Sequence, residues 1–125
     1  MCDSLLIVDD DPDQLDILTR IFPRNDYQVV AVSHPRRALE AASRQQFQVA
    51  LLDLSLPEID GIELMQRLQR KQESLQVIIL SGYDYPSSNA KADGAFAVLT
   101  KPCSLALLKA TVTRALGRRV AVSMS

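Results

Sequence analysis

Five short, nearly continuous apolar runs punctuate the chain: Leu5–Val8, Val29–Val32, Val49–Leu52, Val77–Leu80 and Ala95–Leu99. Unbroken runs of this length fit strands covered on both faces, because a strand with one wet face would alternate apolar and polar positions. Between the runs the apolar positions change to helical spacing: Leu15, Leu18, Ile21 and Phe22, then Ala38, Leu39 and Ala42, then Ile62, Met65 and Leu68, and finally Leu105, Leu108, Val112 and Leu116. Helix starts are marked independently. In Asp11-Pro12-Asp13-Gln14 a capping aspartate precedes a proline at the first helical position, and the glutamine stands where it can reach back to the cap. Asp60-Gly61-Ile62-Glu63 repeats that logic. The weakest helix is the fourth: Ser81–Asn89 is rich in turn formers, leaving at best a short helix over Pro86–Ala92. A β-α alternation repeated five times requires right-handed crossovers and favours a parallel sheet with helices on both faces, where ligands collect at the carboxyl ends of the strands.

Composition narrows what such a domain can do. A length of 125 residues fits one domain, and 47% apolar with 23% charged residues is the balance of a chain that folds alone. We expect the domain over residues 1–118 and a tail or the start of a linker over 119–125, where periodicity is lost. No apolar run could span a bilayer and the N-terminus lacks a signal-type pattern, so the expectation is a cytoplasmic protein without a membrane partner. A formal net charge of −1 gives no general attraction to phosphate backbones, which argues against direct nucleic acid binding. Cys2 and Cys103, at opposite ends of parallel strands, are expected as free thiols.

The chemistry gathers where strands end. Asp9-Asp10-Asp11 follows the first run and Asp53 the third, so with these strands adjacent the carboxylates converge and repel unless one takes a proton or a cation binds. An oxygen-only ligand set without nearby His or Cys suits a hard ion such as Mg²⁺, which keeps several waters and favours phosphate as a further ligand. Lys101-Pro102 follows the fifth run and Ser81-Gly82 the fourth, adding an ammonium and a hydroxyl donor at the same edge. With Asp53 as a carboxylate nucleophile, the set is suited to phosphoryl transfer.

Across about Ser4 to Leu116 the chain resembles the response regulator receiver domain of two-component signal transduction, of the chemotaxis-receiver type. The resemblance is carried, in order, by Asp9-Asp10, Asp53 with Leu-Ser-Leu-Pro-Glu-Ile-Asp-Gly61 after it, Ser81-Gly82, the Asp93-Gly94-Ala95 turn and Lys101-Pro102. It implies a flavodoxin-like, doubly wound, five-stranded parallel α/β sheet of strand order 2-1-3-4-5, with a short or irregular fourth helix. It also implies a phosphoacceptor at Asp53, charged by a histidine kinase or histidine phosphotransfer protein. Mg²⁺ would be held by Asp10, Asp53 and the carbonyl of Ser55, with Asp9 acting through water. Lys101 and Ser81 would contact the phosphoryl group, Pro57 and Gly61 would shape the loop after Asp53, and the bond before Pro102 would be cis. The protein would be a switch that catalyses only its own phosphorylation and dephosphorylation, its output carried by another domain of the chain or by a partner.

One departure from the family pattern stands out, together with two positions that bear on hydrolysis. The fifth-strand position that usually carries a switch aromatic is Val98, and the nearby Phe96, out of register with it, has the strand parity that would face it to the same side. Ser55 and Tyr83 flank the phosphoryl position, and the bulk of Tyr83 leads us to expect slow autodephosphorylation. The alternative function is a pseudo-receiver, the same fold used as a phosphorylation-independent interaction module. An aspartate-nucleophile phosphatase would need a second acid two residues after Asp53, where Ser55 stands, and a flavin-nucleotide protein would need a phosphate loop where Asp9-Asp10-Asp11 would repel it. His34, before Pro35, reads as a turn or cap residue.

Overall fold

A computed structural model of the chain describes residues 3–54, 59, 61–82 and 94–117. The elements run β1 (Asp3–Val8), α1 (Pro12–Arg20), β2 (Tyr27–Val32), α2 (Pro35–Arg44), β3 (Val49–Asp53), α3 (Gly61–Lys71), β4 (Gln76–Ser81), β5 (Ala97–Thr100) and α4 (Leu105–Ala115). All neighbouring strands are parallel, in the order β2-β1-β3-β4-β5, as the resemblance implied. Residues 83–93, where the short helix between the fourth and fifth strands was expected, lie outside the described residues, as do Cys2 and residues 118–125.

The continuous apolar runs are explained by two cores, one on each face of the sheet. Leu6, Val8, Ala50, Leu52, Val77 and Ile79 pack with α2 and α3 through Ala38, Ala42, Leu64, Met65 and Leu68. Their immediate neighbours Leu5, Ile7, Val49, Leu51, Ile78 and Leu80 point the other way, onto Leu18 of α1, Phe22 just past it, and Leu108 and Val112 of α4. Successive side chains alternate between faces, so a strand buried on both faces must be apolar at every position. This holds for residues 5–8 of β1, 49–52 of β3 and 77–80 of β4. At the edges it does not: β2 is only half-covered, with Gln28 and Ala31 exposed.

Local signals set the helix boundaries, with one revision. Asp11 caps α1 by accepting the Asp13 N–H at 3.0 Å, and Pro12 opens the helix as expected. Gln14 does not close the box, because the Asp11 N–H instead donates to Asp9 Oδ1 at 3.0 Å. His34 is a cap, its Nδ1 accepting the Arg36 N–H at 3.2 Å, and Ser104 caps α4 through the Leu107 N–H. Asp60 lies outside the described residues, while Glu63 pairs with Arg67 one turn along α3. The fifth strand starts at Ala97 rather than Ala95. A bend at Phe96 precedes it, with the Phe96 N–H held by the Val77 carbonyl at 2.7 Å.

Gln72, only 3% exposed, ties three elements together. Its Oε1 accepts the Phe47 N–H at 2.8 Å and its Nε2 donates to the carbonyls of Ala42 and Gln45 at 2.9 and 2.8 Å. The carbonyls orphaned at the end of α2 thus find a partner just past the end of α3.

Candidate functional site

Strand order and register bring the acidic residues together. Val8 of β1 pairs with Leu52 of β3, so the next residues, Asp9 and Asp53, emerge side by side at the carboxyl edge. The Asp9 N–H donates to the Val32 carbonyl at 3.2 Å, prolonging the ladder one residue past β1 and fixing where Asp9 leaves it. One carboxylate oxygen from each of Asp9, Asp10 and Asp53 lies within 4.8 Å of the other two. Asp9 is 1% and Asp53 7% exposed, whereas Asp10 faces solvent.

Lys101 reaches this cluster from beyond β5. Its Nζ stands 3.4 Å from both Asp9 Oδ2 and Asp53 Oδ1, with the side chain 28% exposed. Its backbone N–H donates to the Ser81 carbonyl at 2.6 Å, so the ends of β4 and β5 are bonded where they enter the site. The Lys101-Pro102 peptide is cis. Ser81 is 1% exposed at the last position of β4.

The exposed Asp10 carboxylate lies close by, and the Lys101 ammonium is shared between Asp53 and the more deeply buried Asp9. Burial pushes its carboxyl above the ordinary value; the Asp11 N–H and Lys101 pull it back down, and the Asp53 charge pushes it up again. A buried carboxylate pair bridged by one lysine is short of positive charge. The donor set is oxygen only and converges from two strands, which fits a hard divalent cation such as Mg²⁺.

Gly61 has a reason visible only in three dimensions. A Cβ built there would fall 2.7 Å from the Asp53 carbonyl oxygen and 2.8 Å from Leu54 Cα, while its N–H donates to the Leu54 carbonyl at 2.9 Å. The start of α3 is therefore pressed against the backbone of the candidate nucleophile, and only glycine fits. Asp11 likewise does more than cap, since its N–H steadies Asp9. Among the other expected site residues, Ser55, Pro57 and Tyr83 lie outside the described residues.

The fifth strand corrects one expectation. Val98 packs on the α2–α3 side, whereas Phe96 packs on the α1–α4 side. Pleat alternation relates side chains only within a strand, and the bend at Phe96 turns its ring to the opposite face. Phe96 therefore does not share the side of Val98 that strand parity suggested.

A doubly wound parallel sheet that gathers carboxylates and a lysine at its carboxyl edge defines an α/β protein with its site at the strand ends. The chain belongs to the response regulator receiver domain family, which it matches over residues 5–113. It is 39% identical over 118 residues to the transcriptional activator protein PfeR of Pseudomonas aeruginosa, covering 93% of this chain and 38% of that protein. It is 31% identical over 83 residues to sporulation initiation phosphotransferase F of Bacillus subtilis, covering 66% of this chain and 67% of that one. The crystal structure of a CheY-like response regulator receiver domain protein from Methanospirillum hungatei superposes with a TM-score of 0.87 at 27% identity, covering 94% and 95% of the two chains. Among the described residues no helix is long and apolar enough to cross a membrane.

Proposed function

We propose that this domain takes a phosphoryl group onto Asp53 from a phosphohistidine of a histidine kinase or phosphotransfer protein. The observation that carries the reading is the position of Asp53: Oδ1 is 3.4 Å from Lys101 Nζ, and a carboxylate oxygen sits within 4.8 Å of oxygens of both Asp9 and Asp10. An Asp53 oxygen attacks phosphorus, the P–N bond to the donor imidazole breaks, and the ring leaves with the electron pair. Lys101 offsets charge on the phosphoryl oxygens and the Ser81 hydroxyl donates to one of them. Asp10, Asp53 and the Ser55 carbonyl would hold Mg²⁺, with Asp9 acting through water, and the ion would supply charge neutralisation for the approaching anion.

The domain boundary at about residue 118, and an output carried elsewhere in the chain or by a partner, belong to the same reading. PfeR, a transcriptional activator by name, is longer than the stretch matched here, and what a longer protein built on this domain regulates follows from its other segments.

The test is incubation with Mg²⁺ and acetyl phosphate, read by intact mass, with Asp53→Ala and Mg²⁺-free samples as controls. One base-labile, Mg²⁺-dependent adduct that disappears in Asp53→Ala is expected. Absence of the adduct in folded protein, also with a phosphohistidine donor, would leave the pseudo-receiver reading.

A further inference from the structure

The edge of the sheet at β2 has an open backbone and no charged residue. The Asp3 N–H donates to the Asp26 carbonyl and the Asp9 N–H to that of Val32, so in the parallel ladder the even-numbered residues of β2 face β1. The amides and carbonyls of Val29 and Ala31 therefore point outward, where no described residue pairs with them. The strand reads Tyr-Gln-Val-Val-Ala-Val, without lysine, proline or any charge. Edges of that kind are templates for another strand unless something blocks or covers them. Alongside runs an open groove of about 1110 Å³ between the second half of α1 and the strand, its floor including Phe22, Tyr27 and Val29. The Phe22 and Tyr27 rings meet edge-to-face with centroids 5.1 Å apart.

We infer that β2 is a docking edge for a second copy of this chain, joined antiparallel about a two-fold axis at Val30. Two features favour that occupant. The outward-facing residues Val29 and Ala31 lie one on each side of Val30, so under a two-fold there Val29 of each copy exchanges both backbone hydrogen bonds with Ala31 of the other. The charges of α1 are also arranged for an antiparallel copy. Asp11 and Asp13 stand exposed at its start, and Arg20 and Arg24 at and beyond its end. As the crossover between β1 and β2, α1 runs opposite to both, so the two-fold lays the basic end of one helix beside the acidic start of the other. The groove leaves room for that second helix.

The opposite face works against the pairing. There α2 presents Arg36 and Arg37 at its start and Arg44 at its end, all exposed, so the same operation brings arginine toward arginine. The association is consequently weak, and its strength is set by opposing electrostatic layers. This inference does not depend on phosphoryl chemistry at Asp53.

Sedimentation velocity on the full chain over a wide concentration range, with amide exchange read at Val29 and Ala31, tests it. A reversible dimer is expected, with exchange at those two amides slowing as concentration rises. Ala31→Pro removes only an outward N–H, which an edge strand tolerates, and should abolish the dimer with an unchanged melting temperature. Should that variant misfold, Ala31→Lys serves instead. Arg24→Glu should weaken the dimer and Arg44→Glu should strengthen it. A chain monomeric at every concentration, a dimer that survives both Ala31 substitutions, or protection of Val29 and Ala31 that does not depend on concentration would overturn the proposal.

Discussion

Gly61 and Asp53 are packed backbone to backbone: a Cβ on the glycine would lie 2.7 Å from the carbonyl oxygen of the aspartate. That contact couples the start of α3 to the end of β3. Since neither neighbour is a flexible side chain, Gly61→Ala must displace one of the two elements, at a cost of about 1–3 kcal/mol. We expect a lower urea midpoint at unchanged m-value and slower acetyl phosphate labelling of Asp53. Gly82→Ala is the matched control, because among the described residues nothing lies within 4 Å of a Cβ there, and it should leave stability unchanged.

Gln72 predicts a larger loss at a site remote from the chemistry. Its side chain serves the Phe47 N–H and the carbonyls of Ala42 and Gln45 in a nearly closed environment. Gln72→Ala strands those groups, and at about 1–3 kcal/mol for each one left unsatisfied the total should be about 3 kcal/mol or more. Gln72→Glu keeps the acceptor for Phe47 but loses both donations and buries a charge, so it should be no better at neutral pH. Chemical denaturation of the two variants gives the comparison, and a loss below that of Gly61→Ala would mean water replaces the glutamine.

What the sequence revealed, and what it hid, divides along the range of the interaction. Asp9, Asp53 and Lys101 were legible because each follows an apolar run, and a parallel sheet carries all such ends to one edge. The strand order came with the family motifs. Hidden were relations between residues distant in sequence or dependent on backbone direction. Gln72 looks like a polar residue at the end of a helix until its three partners are seen, 25 to 30 positions away. Phe96 sits in an apolar run that continues into β5, yet the strand has not begun there. Gln14 was well placed to reach back to Asp11, but Asp9 holds that amide through a tight turn.

Lys101 should separate cation binding from phosphoryl transfer. Lys101→Met removes the ammonium that stands 3.4 Å from both Asp9 and Asp53, leaving the carboxylates to a metal ion alone. Mg²⁺ should bind at least as tightly, because a competing positive charge is gone. Phosphorylation of Asp53 should slow by about 10²–10³-fold, the usual effect of deleting one preorganised group that stabilises developing charge. Mg²⁺ titration followed by thermal shift reads the first effect and intact-mass time courses read the second. Equal losses in both would place Lys101 among the supports of the metal site.

The raised pKa of Asp9 has a definite sign in stability. A carboxyl that holds its proton more tightly in the folded than in the unfolded chain makes folding less favourable as pH rises from the ordinary value of 3.8 through its folded value. Above that window the buried charge costs in full; below it the cost is absent. Asp9→Asn keeps an oxygen for the Asp11 N–H but removes the charge, so metal-free protein should melt higher than wild type at neutral pH, with the gain shrinking as pH falls through the window. Mg²⁺ should reverse the order. A ligand at a hundredfold its Kd adds about 2.7 kcal/mol to the state that binds it, and the wild type, with its carboxylates intact, should gain more than the variant. Melting temperatures of both proteins across pH, with and without Mg²⁺, check this directly. A variant less stable than wild type in metal-free neutral buffer would show that Lys101 and the Asp11 amide outweigh desolvation, and that this edge is electrostatically satisfied before any cation arrives.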